Sequence, residues 1–318
     1  MFDRRKVLLA GTLAAVASSS AHAQALSPDK KTIELWPGGA PGAERVAVRE
    51  EIVERQPEGP VRDRFAQHVT RPLLTLFGPK TKWNGITLLI VPGGGYVRVV
   101  IDKEGVEAAE WFTARGFAAA VLRYRLPADG WTNGADVPVH DAMRAMRLLR
   151  AHPHEGAASP RIGVIGFSAG GHLSARLVTE PDLAYAKRDE ADGLSARPDF
   201  GVLMYPVIAT TGPYAHAGSA QQLLGAGVSP KDIERFSPHL NVDARTPPTM
   251  LIHAADDTSV PVENSLLMYD ALRKARVRSE LHVFDSGGHG FGLRSVAGKD
   301  VAAWPTLVQN WATNNAAP

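Results

Sequence analysis

One segment restricts the fold more than any other part of the chain. An apolar run over residues 162–167 leads directly into Gly-Phe-Ser-Ala-Gly centred on Ser168, and an Ala- and Leu-rich stretch over 169–179 follows. This pattern predicts a strand, a tight turn and a helix. Gly166 and Gly170 flank the turn because a Cβ at either position would collide where strand and helix close together. Such a turn projects the serine hydroxyl from the edge of a sheet, above the first amides of the helix.

The rest of the chain alternates short apolar runs with amphipathic stretches. This alternation predicts an α/β fold with a mostly parallel central sheet and helices on both faces. Strands are predicted at 72–77, 86–91, 117–122, 162–167, 200–207, 249–255 and 280–285, and helices at 104–115, 136–151, 169–179, 263–275 and 300–313. In such sheets, functional sites lie at the carboxyl ends of the strands. Because no linker-like break follows the N-terminus, we expect a single catalytic domain over residues 24–318.

Two stretches interrupt the alternation. Residues 180–199 are charged and contain two prolines, and residues 210–247 are rich in Gly, Pro, Ser and Ala. Because both follow elements that leave the sheet, they either wall a pocket or form plain surface loops. The sequence leaves these two alternatives open.

The N-terminus has the composition of an export signal. A basic segment at residues 3–6 precedes an apolar run over 7–17, and small residues then end in Ala-His-Ala at 21–23. This pattern predicts a signal peptide over residues 1–23, and the arginine pair favours the twin-arginine route over general secretion. The apolar run is too short to span a bilayer. We therefore expect a periplasmic or secreted protein with no membrane span after cleavage.

Composition and net charge limit the classes of partner that we expect the mature chain to bind. The sequence is 44% hydrophobic and 21% charged, which suits a globular domain. The signal peptide removes three of the 35 basic and one of the 33 acidic residues, which leaves no formal net charge. We therefore expect no nucleic-acid partner. The absence of cysteine excludes disulfides and thiolate metal sites.

A serine at such a turn becomes a nucleophile when a histidine and an acid lie beside it. His289 follows the last predicted strand between glycines, and Asp257 follows the preceding strand at the start of Asp-x-x-Val-Pro. The order Ser168, Asp257, His289 is the hydrolase order. Asp256 is the competing acid, although it is better suited to capping the turn. We expect Ser168 to attack, His289 to act as base and Asp257 to orient the histidine.

A glycine-rich loop follows the strand over 86–91. The sequence Pro-Gly-Gly-Gly from Pro92 exposes backbone amides where lipases and esterases place an HGGG-type loop, with proline in the position of that histidine. We expect the amides of Gly94, Gly95 and Ala169 to form an oxyanion hole. A phosphate-binding loop is the alternative, but it would require a Gly-Lys-Ser/Thr sequence that is absent here.

With these motifs in place, the chain resembles the bacterial α/β-hydrolases of the acetyl-xylan-esterase-like group. The resemblance rests on segments 92–96, 102–105, 123–127, 141–145, 166–173, 197–200, 205–207, 246–249, 256–261 and 287–292. It implies the α/β-hydrolase fold and the release of acetyl groups from xylan or xylo-oligosaccharides by the serine triad. It implies no metal and no other cofactor. Tyr96 either lines the substrate pocket or belongs to the core.

Three other functions fit parts of the sequence. A general short-chain carboxylesterase would use the same residues and differ only in its substrate. A serine peptidase of the prolyl-oligopeptidase kind would need a large gating domain, and we find too few residues before the core for one. A scaffold or adhesion protein would not need Ser168, Asp257 and His289 together. We expect an ester hydrolase that acts on a small-molecule or oligosaccharide ester.

Overall fold

The computed structural model describes residues 31–157, 161–226 and 229–314. The signal peptide predicted over residues 1–23 lies outside the described residues. Within these ranges, no helix is both long enough and apolar enough to cross a bilayer.

An eight-stranded sheet forms the centre of the described chain. The strands in chain order are β1 (Thr32–Glu34), β2 (Glu51–Glu54), β3 (Arg64–Gln67), β4 (Leu73–Phe77), β5 (Ile86–Val91), β6 (Val99–Val100), β7 (Ala118–Arg123), β8 (Arg161–Phe167), β9 (Phe200–Met204), β10 (Thr249–Ala254) and β11 (Ser279–Phe284). The large sheet has the order β1-β4-β7-β5-β8-β9-β10-β11, and β2, β3 and β6 form a small second sheet. In the large sheet, β4 pairs antiparallel with β1 and β7, and the remaining neighbours pair in parallel. This confirms the predicted mostly parallel sheet.

Helices cover both faces of the large sheet. They are α1 (Glu107–Thr113), α2 (Val137–Ala151), α3 (Ala169–Thr179), α4 (Ala217–Leu224), α5 (Pro230–Arg235), α6 (Glu263–Lys274) and α7 (Trp304–Asn314). One core cluster includes Met143 of α2, Leu173 of α3 and Met268 of α6, and a second includes Phe112 of α1 and Trp304 of α7. Successive residues of the central strands divide between the two clusters, because side chains along a strand point alternately to opposite faces.

Some element boundaries differ from the predicted ones. The strand predicted over 200–207 ends at Met204, because Tyr205 adopts a φ of 35° and Pro206 has no amide to donate. The helix before β7 opens with a π-helical turn at Asp102–Val106. The sequence does not predict β1, β2, β3 and β6, which are short and lack a continuous apolar run.

The two stretches that interrupt the alternation fold differently. Residues 180–199 lie along α2, where Arg144 forms an ion pair of 2.9 Å with Asp192. Residues 210–226 and 229–247 contain α4, α5 and a 3-10 turn at Pro238–Leu240. The first stretch is thus tied to the surface of a core helix, and the second is a short helical segment rather than a plain loop.

Candidate active site

Ser168 occupies a strained turn between β8 and α3. Its backbone has φ 53° and ψ −117°, a conformation that residues other than glycine rarely adopt. The Ser168 amide donates to the carbonyl of Met204 (3.0 Å), and the Ser168 carbonyl accepts the amide of His172 (3.1 Å). A Cβ on Gly166 would lie 2.3 Å from the carbonyl oxygen of Gly170. The close approach of strand and helix therefore requires glycine, and the backbone bonds hold the serine in its strained conformation.

His289 lies on the loop after β11, with its ring against the serine. Its Nε2 atom is 2.8 Å from Ser168 Oγ. Gly288 and Gly290 on either side have φ values of 66° and 65°, in the left-handed region that favours glycine. The ring of Tyr205 packs edge-on against the imidazole, with the centroids 5.2 Å apart. The hydroxyl and the imidazole are therefore within proton-transfer distance.

Asp257, on the loop after β10, contacts the other nitrogen of His289. Its Oδ2 atom is 2.7 Å from Nδ1, and its Oδ1 atom accepts the amides of Ser259 and Val260 at 2.9 Å each. Burial alone would raise the pKa of Asp257. Hydrogen bonds from the side chains of His253 and His289 and from the Val260 amide outweigh burial and hold the pKa well below its usual range. The carboxylate beside the histidine is therefore an anion.

The neighbouring Asp256 contacts the histidine loop at another point. Its Oδ1 atom accepts the amides of Gly287 (2.8 Å) and Gly288 (2.7 Å). Of the two acids that the sequence left in competition, the structure places Asp257, and not Asp256, against the imidazole of His289.

The glycine loop after β5 lies directly against the serine. A Cβ on Gly93 would lie 2.9 Å from Ser168 Cβ. Gly94 adopts a φ of 131°, and a Cβ there would lie 2.2 Å from the carbonyl oxygen of Arg98. A side chain at either glycine would displace the loop from the serine.

Three backbone amides around Ser168 are free to donate. The amides of Gly94, Gly95 and Ala169 have no acceptor among the described residues. Gly94 and Gly95 line the same cavity as Ser168, and Ala169 begins α3. Backbone amides without an acceptor can stabilise negative charge on an oxygen bound beside them.

Glu104 is a buried carboxylate that connects the glycine loop to the histidine loop. Its Oε2 atom accepts the amide of Gly93 (2.8 Å), and its Oε1 atom accepts the hydroxyl of Tyr205 (3.0 Å), whose ring contacts His289. Burial raises the pKa of Glu104, and the two hydrogen bonds and the charges of His289 and Lys103 oppose this only in part. Neither Glu104 nor Tyr205 was predicted, because their contacts arise only in the tertiary structure.

Ser168 and His289 open onto a cavity of about 370 Å³. Its wall includes His216, which precedes α4 in the 210–247 stretch. His216 Nδ1 accepts the amide of Ser219 (3.1 Å), so the neutral ring carries its proton on Nε2. Burial and the nearby His289 lower the pKa of His216 and favour this neutral form. The second interrupting stretch thus contributes a histidine to the wall of this cavity, and no sequence motif marked that residue.

Tyr96 and residues 180–199, which the sequence suggested as possible walls of the substrate pocket, are not among the residues that line this cavity. Tyr96 is 1% exposed, its hydroxyl is 2.8 Å from Nδ1 of His172, and its ring packs on that of Tyr124. It is a core residue, and the structure gives no support to a substrate contact. Residues 180–199 line other cavities, one of them through Tyr185.

In residues 31–157, 161–226 and 229–314, no three or more His, Asp or Glu side chains are grouped so that they could hold a metal ion. The polar side chains around Ser168 are instead bonded to one another and to backbone amides.

This arrangement is shared with known proteins. The model of the prolyl oligopeptidase family matches residues 108–315, from α1 to the end of α7. The chain belongs to the prolyl oligopeptidase family. The hydrogen-bonded series Ser168–His289–Asp257, called the relay below, lies within this matched range.

Curated relatives of this family member include enzymes named for xylan. It is 35% identical over 215 residues to an acetylxylan esterase from Xylanibacter ruminicola and 36% identical over 204 residues to endo-1,4-beta-xylanase B from Butyrivibrio fibrisolvens. These matches cover 66% and 64% of this chain, but only 42% and 32% of the relatives. The chain therefore spans less than half the length of these two proteins.

Solved structures extend the comparison to the fold. An acetyl ester-xyloside bifunctional hydrolase from Caldicellulosiruptor lactoaceticus is 35% identical, with a TM-score of 0.70 over 89% of this chain and 96% of that one. A propionate-bound esterase from Thermogutta terrifontis is 25% identical, with a TM-score of 0.62 over 83% and 93%. This prolyl oligopeptidase family member has the α/β-hydrolase fold, and its resemblance to the acetyl-xylan-esterase-like group is confirmed.

Proposed function

We propose that this protein is a serine ester hydrolase that releases acetyl groups from xylan-derived carbohydrates. The observation that carries the proposal is the relay of Ser168, His289 and Asp257, with distances of 2.8 and 2.7 Å between successive partners. A hydroxyl bonded to an imidazole that is itself bonded to a buried carboxylate is the arrangement that activates serine for acyl transfer.

In the first half of the reaction, Ser168 Oγ attacks the ester carbonyl. His289 Nε2 takes the hydroxyl proton as the bond forms. The imidazolium is stabilised by Asp257, whose low pKa keeps it charged throughout. His289 then gives the proton to the departing alcohol, and an acyl-serine ester remains.

Negative charge on the carbonyl oxygen peaks in the tetrahedral intermediate. We assign its stabilisation to the amides of Gly94, Gly95 and Ala169, which have no acceptor among the described residues. Because these donors are fixed by the glycine loop and by the start of α3, they need no reorganisation during the reaction.

In the second half, water replaces the alcohol. His289 removes a proton from a water molecule, which attacks the acyl carbonyl and forms a second tetrahedral intermediate on the same three amides. Collapse of this intermediate returns the proton to Ser168 Oγ and releases acetate.

The acetyl and xylan parts of the proposal are supported by the relatives. The acetylxylan esterase and the acetyl ester-xyloside hydrolase are both 35% identical to this chain. Peptidase activity is the alternative that the family name suggests, and it would employ the same relay on an amide. A general short-chain carboxylesterase is the other alternative, favoured by the likeness to the Thermogutta terrifontis esterase.

One set of assays separates the three activities. Acetate release from acetylated xylo-oligosaccharides is measured beside hydrolysis of 4-nitrophenyl acetate and of peptide 4-nitroanilides. We expect rapid release from the oligosaccharides and the aryl ester and none from the peptides. Hydrolysis of the aryl ester alone would reduce the proposal to a general carboxylesterase, and peptide cleavage would refute it.

A matched pair of variants tests the nucleophile. Ser168→Ala should abolish turnover without unfolding the protein. Ser174→Ala removes a hydroxyl from the same helix that has no hydrogen-bond partner among the described residues, and it should keep wild-type activity. Activity retained by Ser168→Ala would sink the proposed mechanism.

We also propose that the protein is exported through the signal peptide over residues 1–23. The basic segment, the short apolar run and Ala-His-Ala at 21–23 support this. N-terminal sequencing of the protein from the periplasm or medium should begin at Gln24. Replacing Arg4 and Arg5 with lysine should block export by the twin-arginine route, and undisturbed export would assign the signal to general secretion.

A further inference from the structure

The wall of the cavity in front of Ser168 carries positive charge. Arg55, Arg98 and Lys103 all line it. Arg55 is compensated by an ion pair of 2.6 Å with Asp63. In the described part of the chain, Arg98 and Lys103 have no carboxylate within ion-pair distance. Arg98 and Lys103 therefore line the cavity without an ion pair to a carboxylate of the described residues.

The carboxylates closest to the reacting serine are already engaged. Glu104 is largely buried but also lines this cavity, and its two oxygens accept hydrogen bonds from Gly93 and Tyr205. Asp257 is bonded to His289 and to two backbone amides. Both acids are held by these hydrogen bonds, and the single carboxylate that lines the cavity, Glu104, does not offset both cations.

The two cations lie next to the loops that hold the reacting groups. The Arg98 amide donates to the carbonyl of Gly94, and the Arg98 guanidinium lies 5.1 Å from the centre of the Phe65 ring. A Cβ on Gly292, in the histidine loop, would lie 3.4 Å from Lys103 Cγ. Both cations therefore belong to segments that border the cavity in front of Ser168.

We propose that the preferred substrate is an acetyl ester of a saccharide that also carries a carboxylate, such as a uronic acid residue, and that Arg98 and Lys103 bind this carboxylate. This inference rests on the proposed ester hydrolysis and names the substrate class for the same site. The carboxylate is carried on the alcohol portion of the ester, so it binds while the acetyl group reacts and leaves with the saccharide.

Two physical effects favour such a substrate. Charge-assisted hydrogen bonds from guanidinium or ammonium to carboxylate are stronger than those between neutral groups. A cavity whose wall carries an excess of positive charge also raises the local concentration of anionic ligands. Packing of the Arg98 guanidinium over Phe65 restricts its motion, so less entropy is lost when a carboxylate binds.

The test compares two fractions of one substrate. Acetylated xylo-oligosaccharides are separated by anion exchange into neutral and uronic-acid-bearing fractions of equal length. We expect kcat/KM for acetate release to be at least about fivefold higher for the acidic fraction, the effect of two partly exposed charge contacts. The preference should shrink as the ionic strength rises from about 0.01 M to about 1 M, because the Debye length falls from about 30 to about 3 Å.

Variants assign the preference to the two cations. In the Arg98→Gln/Lys103→Gln protein, the ratio of kcat/KM between the acidic and neutral fractions should fall to about 1. The matched control is Arg115→Gln/Arg273→Gln, which removes the same charge from exposed positions that precede β7 and β11, at the other edge of the sheet. The ratio of kcat/KM between the acidic and neutral fractions in this control protein should equal that of the wild type.

The outcomes separate this inference from the proposed function. Equal kcat/KM for both fractions in the wild type would overturn the inference and leave the esterase proposal standing. A preference that persists in the Arg98→Gln/Lys103→Gln protein would overturn the role of these residues. No acetate from either fraction would contradict the proposed function itself. If the double variant fails to fold, the salt dependence of the wild-type preference is the test. A preference that does not shrink as the ionic strength rises would then overturn the inference.

Discussion

Replacing Asp257 with asparagine should disable the relay by imposing the wrong histidine tautomer. The Asp257 oxygen that faces the Ser259 and Val260 amides accepts two hydrogen bonds, so the asparagine oxygen must take this position. The asparagine NH₂ group then faces His289 Nδ1, which becomes an acceptor. His289 Nε2 consequently carries a proton toward Ser168 and cannot remove the hydroxyl proton. We expect kcat to fall about 10³- to 10⁴-fold, which corresponds to about 4 to 5 kcal/mol.

Asp256→Asn is the matched control for this prediction. Its oxygen can still accept the amides of Gly287 and Gly288, and the new NH₂ group replaces an oxygen that does not contact His289. We expect kcat to change by less than about tenfold, because one neutral hydrogen bond contributes about 1 kcal/mol. Both variants are assayed for acetate release and checked by thermal unfolding. Equal losses in the two variants, or a loss below tenfold in Asp257→Asn, would refute the assignment of Asp257.

Three further perturbations test the surroundings of the relay. Glu104→Gln leaves either the Gly93 amide or the Tyr205 hydroxyl without its acceptor, so kcat should fall about tenfold. The unfolding free energy should change by less than about 1 kcal/mol, because the substitution also removes a buried charge. Gly94→Ala should lower kcat about 100-fold in acetate-release assays, because its Cβ would lie 2.2 Å from the Arg98 carbonyl and displace a donor amide. Burial lowers the pKa of His172 to about 4. The unfolded chain, with a histidine pKa of about 6.5, therefore binds protons more readily, and stability should fall by up to about 3 kcal/mol between pH 6.5 and 4. Urea unfolding at several pH values should show a smaller decline in His172→Gln.

Local sequence signals were sufficient to predict the structure of a segment where that segment determines its own fold. The apolar run, the small residues and the following helix around Ser168 act within a few positions of one another, and the observed α3 coincides with the predicted range 169–179. The order of the parallel strands along the chain was also predicted from the sequence, because buried strands appear there as apolar runs. The short strands before residue 72 were missed since their pairing depends on the rest of the fold.

Other parts of the site depend on contacts between distant segments. Nothing near Glu104 in the sequence marks it as largely buried, because its partners Gly93 and Tyr205 come from two other strand ends. His216 belongs to a stretch whose position relative to the serine could not be predicted. Tyr96 next to the glycine loop suggested a substrate contact, but its φ of 61° accompanies a ring that points inward to His172.

Three neighbouring acids perform separate structural tasks at the site. Asp257 fixes the ring of His289, whereas Asp256 fixes the backbone of the loop that carries it. Glu104 binds the glycine loop on one side and Tyr205, which supports the imidazole, on the other. A displacement of either loop would therefore be transmitted to the other through Glu104. The geometry of the relay and the positions of the proposed oxyanion donors thus depend on one buried carboxylate, Glu104, which has no hydrogen bond to Ser168 or His289.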